Sequence, residues 1–220
     1  MASVIIRTAT VSELHALDPF VDRPAGYGEL TGPEVWVCDL TDAAIVLGSR
    51  QSPDLVDADA CRAAGLEIVR RRSGGGAVLL RPDAVVWIDV VLPHGVAPDD
   101  VRGSMVWIGE RWGEVLASSV GEEITVHDGG MVCTPWSDLV CFAGVGPGEV
   151  LVDGRKFLGL SQRRNRHGIR VQGTLYRRPV TGEIPPLLAT AIPAAALEEP
   201  HWDPTIRGAD LAAELADRLG

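Results

Sequence analysis

Apolar residues recur along this chain mostly in short runs, with a few stretches of helical spacing. SVIIRT near the start reads as an edge strand, and Thr10 is placed to cap a short helix running to Leu17. EVWVCDL and AAIVLG read as strands joined by a turn at Thr41-Asp42. Asp57 to Ala64 reads as a short helix closed by Gly65. LEIVRR is a strand that runs into the loop SGGG, and AVLL and AVVWIDVVL are strands with Arg81-Pro82-Asp83 turning between them. Pro98 to Ser118 has the clearest helical period: Val101, Met105, Ile108, Trp112, Val115 and Leu116 share a face. EEITVH, EVLVDG, RKFLGLSQRR and GIRVQGTLY read as later strands, with a tight hairpin at Asp153-Gly154. A Pro- and Ala-rich wrap and a helix from Ala209 to Leu219 end the chain.

Helices and strands mix without regular βαβ alternation. That predicts an α+β fold with a mixed, mostly antiparallel sheet and flanking helices. The 220 residues suit a single domain spanning 1–220, without a C-terminal accessory domain. Hydrophobic residues make up 46% and charged residues 23%, enough for a sizeable core and too apolar for a disordered chain. No apolar run reaches the ~18 residues of a membrane span, and the first twenty residues lack the basic start of a signal peptide. The four cysteines (Cys38, Cys61, Cys133, Cys141) form no CxxC pair and no zinc-like spacing. Reduced thiols, a cytoplasmic setting and no metal site are therefore expected.

Charge sharpens this picture. The net charge of −10 argues against a general nucleic-acid binder, and no membrane partner is expected. Yet residues 155–178 hold eight basic side chains and no acid, and Arg70, Arg71 and Arg72 form a second basic knot. Such concentrated positive segments suggest a site for an anionic ligand or an acidic partner, and equally fit a solvated Arg-rich hairpin. Of the 20 basic residues 19 are Arg; the single Lys is Lys156. Codon bias alone explains such a split, but lysine differs from arginine in being a compact point charge with a tunable pKa.

Three segments carry candidate chemistry. In Arg70-Arg71-Arg72-Ser73-Gly74-Gly75-Gly76-Ala77, three glycines let backbone N–H groups approach a ligand, and the guanidiniums add forked donors for carboxylate or phosphate. It is neither a Walker loop nor GxGxxG. In the strand after Gly154, alternation places Lys156, Leu158, Leu160 and Gln162 on one side and Phe157, Gly159, Ser161 and Arg163 on the other. A lysine leading an apolar row can set an ammonium over a buried carbonyl; the same position fits a surface lysine at a hairpin exit. Cys141 lies beside a Gly/Pro loop, exposed enough for a nucleophile, and equally fits a buried apolar thiol.

These segments, taken in order, resemble the lipoate–protein ligase A family and its octanoyl/lipoyl transferase relatives. The resemblance runs through Ile45 to Pro53 (IVLGSRQSP), VRRRSGGGAV, VDGRKFLGLSQRR and Gln172-Gly173-Thr174-Leu175, and covers about residues 30–178. It implies an α+β fold shared with biotin protein ligases, and attachment of an octanoyl or lipoyl chain to one lysine of a carrier domain. On the same basis Arg70, Ser73, Gly74, Gly75, Gly76 and Ala77 would wrap the acyl carboxyl end and, in ligases, the AMP phosphate. Lys156 would contact the acyl carbonyl or acyl phosphate, with Gly159, Ser161, Gln162, Gln172, Gly173 and Thr174 binding the substrate in the same pocket.

The sequence departs from the ligase pattern in places. After GGGAV the ligases carry His-Asp-x-Gly, where this chain has Leu80-Arg81-Pro82-Asp83. Ahead of the lysine hairpin they often carry Asn-Asp, suited to metal and nucleotide, where this chain has Gly148-Glu149. Cys141 instead stands where the cysteine-dependent transferases of the family carry their nucleophile. The leading expectation is therefore acyl transfer through a Cys141 thioester, with no cofactor, Lys156 assisting. Its partners would be lipoyl domains or a glycine-cleavage H-type protein, with acyl carrier protein as a possible donor. The alternatives are an ATP- and Mg-dependent ligase working through lipoyl-AMP, and a non-catalytic acyl- or carrier-binding paralogue.

Overall fold

The computed structural model describes residues 2–23 and 29–220. The elements are β1 (Ser3–Ala9), α1 (Val11–Ala16), β2 (Glu34–Leu40), β3 (Ala44–Leu47), α2 (Ala58–Ala63), β4 (Glu67–Arg70), β5 (Val78–Leu80), β6 (Val85–Pro93), α3 (Val101–Ser119), β7 (Ile124–Val126), β8 (Val150–Val152), β9 (Arg155–Asn165), β10 (Gly168–Tyr176) and α4 (Gly208–Leu219), with short 3-10 turns between them. Thr10 caps α1 through a capping box with Glu13, and Asp57 and Asp100 cap α2 and α3.

Among the described residues the strands form two sheets. The larger has the order β1-β2-β6-β10-β9-β8-β7, the smaller β4-β3-β5. Only β1–β2 and β3–β4 run parallel, so the expected α+β fold with a mostly antiparallel sheet holds. The turn at Thr41-Asp42 and the one at Arg81-Pro82-Asp83 do not close hairpins. Each carries the chain from one sheet to the other, because β2 and β6 lie in the large sheet and β3 and β5 in the small one.

The large sheet is covered on both faces. Trp112, Ile108 and Leu116 of α3 and Leu211 and Leu215 of α4 pack on one side. The small sheet, through Ile45, Leu47 and Leu79, packs on the other. Strand β6 divides its side chains accordingly: Val86, Ile88 and Val90 face the helices, and Val85 and Trp87 face the small sheet. Double coverage explains why this strand reads as a nearly unbroken apolar run. Of the face expected for α3, Val101 is 61% exposed, since the helix begins there rather than at Pro98. No helix of the described residues is long and apolar enough to cross a membrane.

Candidate active site

The site is built where the β8–β9 hairpin meets the loop that precedes it. Asp153 and Gly154 take positive φ values of 49° and 77°, giving the tight turn that their sequence favours. Val150 pairs with Leu158, yet Leu151 pairs with Lys156, so Phe157 is an extra residue on the β9 side. This β-bulge corrects the simple alternation expected for the strand. Leu158 and Leu160 go to the core under α3, and the Gln162 amide donates to Ser104 Oγ of α3 at 2.8 Å. Lys156 moves to the opposite face, beside Gly159: its Cε lies 3.4 Å from where a Cβ on Gly159 would stand.

There Lys156 is buried, 5% exposed. Its Nζ is 2.8 Å from Glu149 Oε2, 3.0 Å from the Cys141 carbonyl oxygen and 3.1 Å from that of Gly144. It is also 3.8 Å from Cys141 Sγ and 4.8 Å from the centre of the Phe142 ring. Burial pushes the Lys156 pKa down, but Cys141 and Glu149 outweigh it and hold the pKa above the ordinary lysine value. The side chain is therefore an ammonium whose three hydrogens are all engaged. Glu149 is equally enclosed: Oε2 accepts the Gly146 N–H at 2.7 Å and Oε1 accepts that of Leu160 at 3.0 Å. Sequence reasoning passed over Glu149 as a departure from Asn-Asp. The available signal was electrostatic, since a buried lysine requires a counter-charge.

The glycine loop holds Cys141. Ala77 bridges Val140 in parallel: the Ala77 N–H donates to Leu139 O at 2.8 Å, and the Cys141 N–H to Ala77 O at 3.0 Å. Gly76 has no room for a side chain, since a Cβ would fall 2.6 Å from Cys141 N. Behind the loop Arg71 donates to the carbonyls of Gly74, Gly76 and Val46, and Gln51 donates to those of Asp138 and Leu139. Arg71, 4% exposed, is thus the structural arginine of the knot; burial lowers its pKa. Arg70 is exposed on β4 and stands outside this cluster. Cys141 is half-buried at the start of a 3-10 turn.

The remaining expected residues converge, with one exception. Ser161 and Gln172 are cross-strand partners on β9 and β10. Ser73 Oγ lies 3.0 Å from Ser161 Oγ and donates to Gln172 Oε1 at 3.0 Å. Gly159, Ser161, Gln172 and Thr174 line a narrow cavity of about 30 Å³ with Cys141, Phe142, Trp87 and His15. Gly173 points the other way, close against Trp112 and Leu158. A wider groove of about 830 Å³ opens on the far side of Cys141, lined by Gly74, Gly75, Gly76, Lys156, Gln162, Arg50 and Arg102. Cys141 borders both spaces. Exposed Gly74 and Gly75 offer backbone along the groove, and Arg50 adds a cation at its edge. Among the described residues no cluster of three His, Cys, Asp or Glu is arranged to hold a metal.

The basic segment 155–178 is divided between paired and unpaired charges. Three of its eight charges are paired with acids, Lys156 with Glu149, Arg170 with buried Asp89, and Arg178 with Asp83 and Glu183; among the described residues Arg155, Arg163, Arg164, Arg166 and Arg177 have no acidic partner within ion-pair distance.

The model of the lipoyl protein ligase A/B catalytic domain matches residues 28–185. The chain belongs to this family. It is accordingly an enzyme of lipoyl or octanoyl attachment. No curated protein sequence matches it. Among solved structures it is similar in fold to a lipoate-protein ligase A bound with ATP, at 14% identity and a TM-score of 0.72, covering 97% of this chain and 82% of that one. It is also similar to a structure from the archaeal lipoylation system of Thermoplasma acidophilum, a bipartite lipoate protein ligase and its E2 lipoyl domain, at 15% identity and a TM-score of 0.70, covering 98% and 81%. A third, a T. acidophilum protein with bound lipoic acid, has 15% identity and a TM-score of 0.66, covering 98% and 83%. This lipoyl ligase architecture explains why the glycine loop, the cysteine turn and the lysine hairpin meet.

Proposed function

We propose that residues 1–220 act as one catalytic domain that passes an octanoyl or lipoyl group through a thioester on Cys141 to a lysine of a lipoyl carrier domain. The observation that carries this reading is the position of Cys141. Its sulfur stands at the junction of a narrow, mainly apolar cavity and an open groove, 3.8 Å from the Lys156 ammonium. The apolar wall of the cavity suits an acyl chain, which would have to widen the present volume of about 30 Å³ to enter, and the groove suits the carriers. Cys141 Sγ attacks the acyl carbonyl carbon of the donor thioester, and the donor thiol leaves with the proton from Cys141. A neutral lysine amine of the acceptor then attacks the new thioester; an amide bond forms, the C–S bond breaks, and the amine proton returns to Cys141. Lys156 meets the negative charge that develops on oxygen and sulfur in both steps. To reach the oxyanion it exchanges one of its two backbone carbonyl partners for the substrate.

The pairing of the T. acidophilum ligase with its E2 lipoyl domain motivates a lipoyl domain as acceptor. An acyl carrier protein would serve as the thioester donor; an H-type protein would donate from a lysine amide, whose C–N bond breaks so that the lysine amine leaves with the Cys141 proton. Incubation with an octanoyl-loaded carrier should add one acyl mass to the enzyme, and Cys141→Ala should abolish both the adduct and the transfer. Transfer at the parent rate by Cys141→Ala would sink the mechanism.

One observation favours a second reading. The groove, with exposed Gly74 and Gly75 and with Arg50 and Arg102 on its wall, has the volume for a nucleotide. An ATP- and Mg-dependent ligase would then hold the phosphate against the glycine backbone. Pyrophosphate release on mixing with lipoate, Mg and ATP is its signature.

A further inference from the structure

The hydrogen bonds behind Ser73 have a direction. Ser73 Oγ donates to Gln172 Oε1 at 3.0 Å, so at the 3.0 Å contact with Ser161 it is the acceptor. The Gln172 amide nitrogen is a donor only, and it meets His15 Nδ1 at 3.4 Å. Nδ1 therefore accepts, and the ring hydrogen sits on Nε2. That atom is buried and has no partner among the described residues. His15 as a whole is 7% exposed, and its ring stacks on Trp87 with centroids 4.5 Å apart, which holds it in place. It stays neutral: burial, helped by Arg170 and Arg71, lowers its pKa to about 3.

The same ring lines the cavity that reaches Cys141. Most of the wall is apolar, from Val46, Val78, Leu80, Trp87 and Phe142. A buried N–H donor left without an acceptor is unfavourable, so an acceptor brought to it is favoured. His15 is set back from the reacting end. Gly159 stands beside Lys156, Ser161 is two strand positions further on, and Gln172 lies across from Ser161. That displacement is roughly 7 Å along the strand, a substantial part of a medium-chain acyl group.

We propose that His15 is a specificity-determining residue: its Nε2–H reads a hydrogen-bond acceptor on the hydrocarbon part of the acyl group. The site thereby selects a lipoyl chain, with its dithiolane sulfurs, over a plain octanoyl chain. The inference rests on the reading of the cavity as the acyl pocket, and on the chain widening it enough to uncover Nε2, which is closed off from solvent in the unliganded arrangement. Sulfur is a weak acceptor, so the preference is modest, roughly three- to tenfold in affinity.

Calorimetric titration of the full chain with lipoamide and octanamide, uncharged stand-ins for the carrier-bound groups, tests it. Lipoamide should bind more tightly by that ratio. His15→Phe, which keeps a ring on Trp87 and removes the N–H, should bring the ratio close to one, mainly by weakening lipoamide. Nitrogen NMR of the parent imidazole needs no variant: lipoamide should move the His15 Nε2 resonance and octanamide should leave it near its free position. Equal affinity for the two amides, or a ratio unchanged in His15→Phe, overturns the role of His15 and leaves the acyl pocket standing. Binding of neither amide overturns the acyl-pocket reading itself.

Discussion

Lys156 and Glu149 form an ion pair in which neither partner has solvent to fall back on. Removing one charge strands the other, at a cost of about 3–5 kcal/mol. Glu149→Gln should lower unfolding stability by that order in urea titrations, although glutamine preserves the shape. Lys156→Arg keeps the charge but replaces a point donor, whose three hydrogens reach three separate oxygens, with a flat fork. Transfer (kcat/KM) should fall roughly 100-fold or more, the scale seen on losing one oxyanion donor. Near-parent turnover by Lys156→Arg would return the lone lysine to codon bias. The motifs single out Lys156 and Cys141, and the structure brings the two within 3.8 Å. The partner of Lys156 was not legible in the sequence, because the face a strand residue occupies depends on the register of its neighbour, and one bulged residue reverses it.

At the level of elements, the site depends on backbones that touch. Helix α3 lies so close to the loop before Glu149 that a Cβ on Gly109 would fall 2.1 Å from Gly148 O, and one on Gly148 would fall 1.9 Å from Met105 O. The obstacle is backbone, which cannot swing aside. Gly109→Ala should therefore cost about 1–3 kcal/mol of stability and displace Glu149, lowering transfer as well. Gly121→Ala, with nothing within 4 Å, is the matched control and should leave both near the parent values. The elements themselves were readable, because their periods and caps are local properties: Thr10, Asp57 and Asp100 all cap as their types suggest. The partition into two sheets was not readable. A turn such as Thr41-Asp42 looks the same whether it folds a strand back or hands it to another layer.

For the whole molecule, the balance of charge decides how it meets acid and how it meets its substrates. His15 is held neutral with its pKa lowered to about 3 from an ordinary 6.5. Below 6.5 the unfolded chain takes up a proton that the folded one refuses. Stability is therefore lost as pH falls from 6.5 towards 3, with this residue contributing a slope of up to ~1.36 kcal/mol per pH unit. Urea unfolding at about pH 7 and about pH 5 should show a smaller difference in His15→Phe than in the parent. The arginines, by contrast, serve as framework as much as surface: Arg71 and Arg170 are both buried and bound to backbone carbonyls. That division of labour has a chemical consequence. A protein that handles activated acyl groups addressed to lysine has, within its own 220 residues, only one lysine side chain. That amine is protonated, enclosed and saturated with acceptors. On the proposed mechanism, an acyl group leaving Cys141 would find no available lysine side chain of the enzyme to settle on, and the lysine of the carrier would remain its destination.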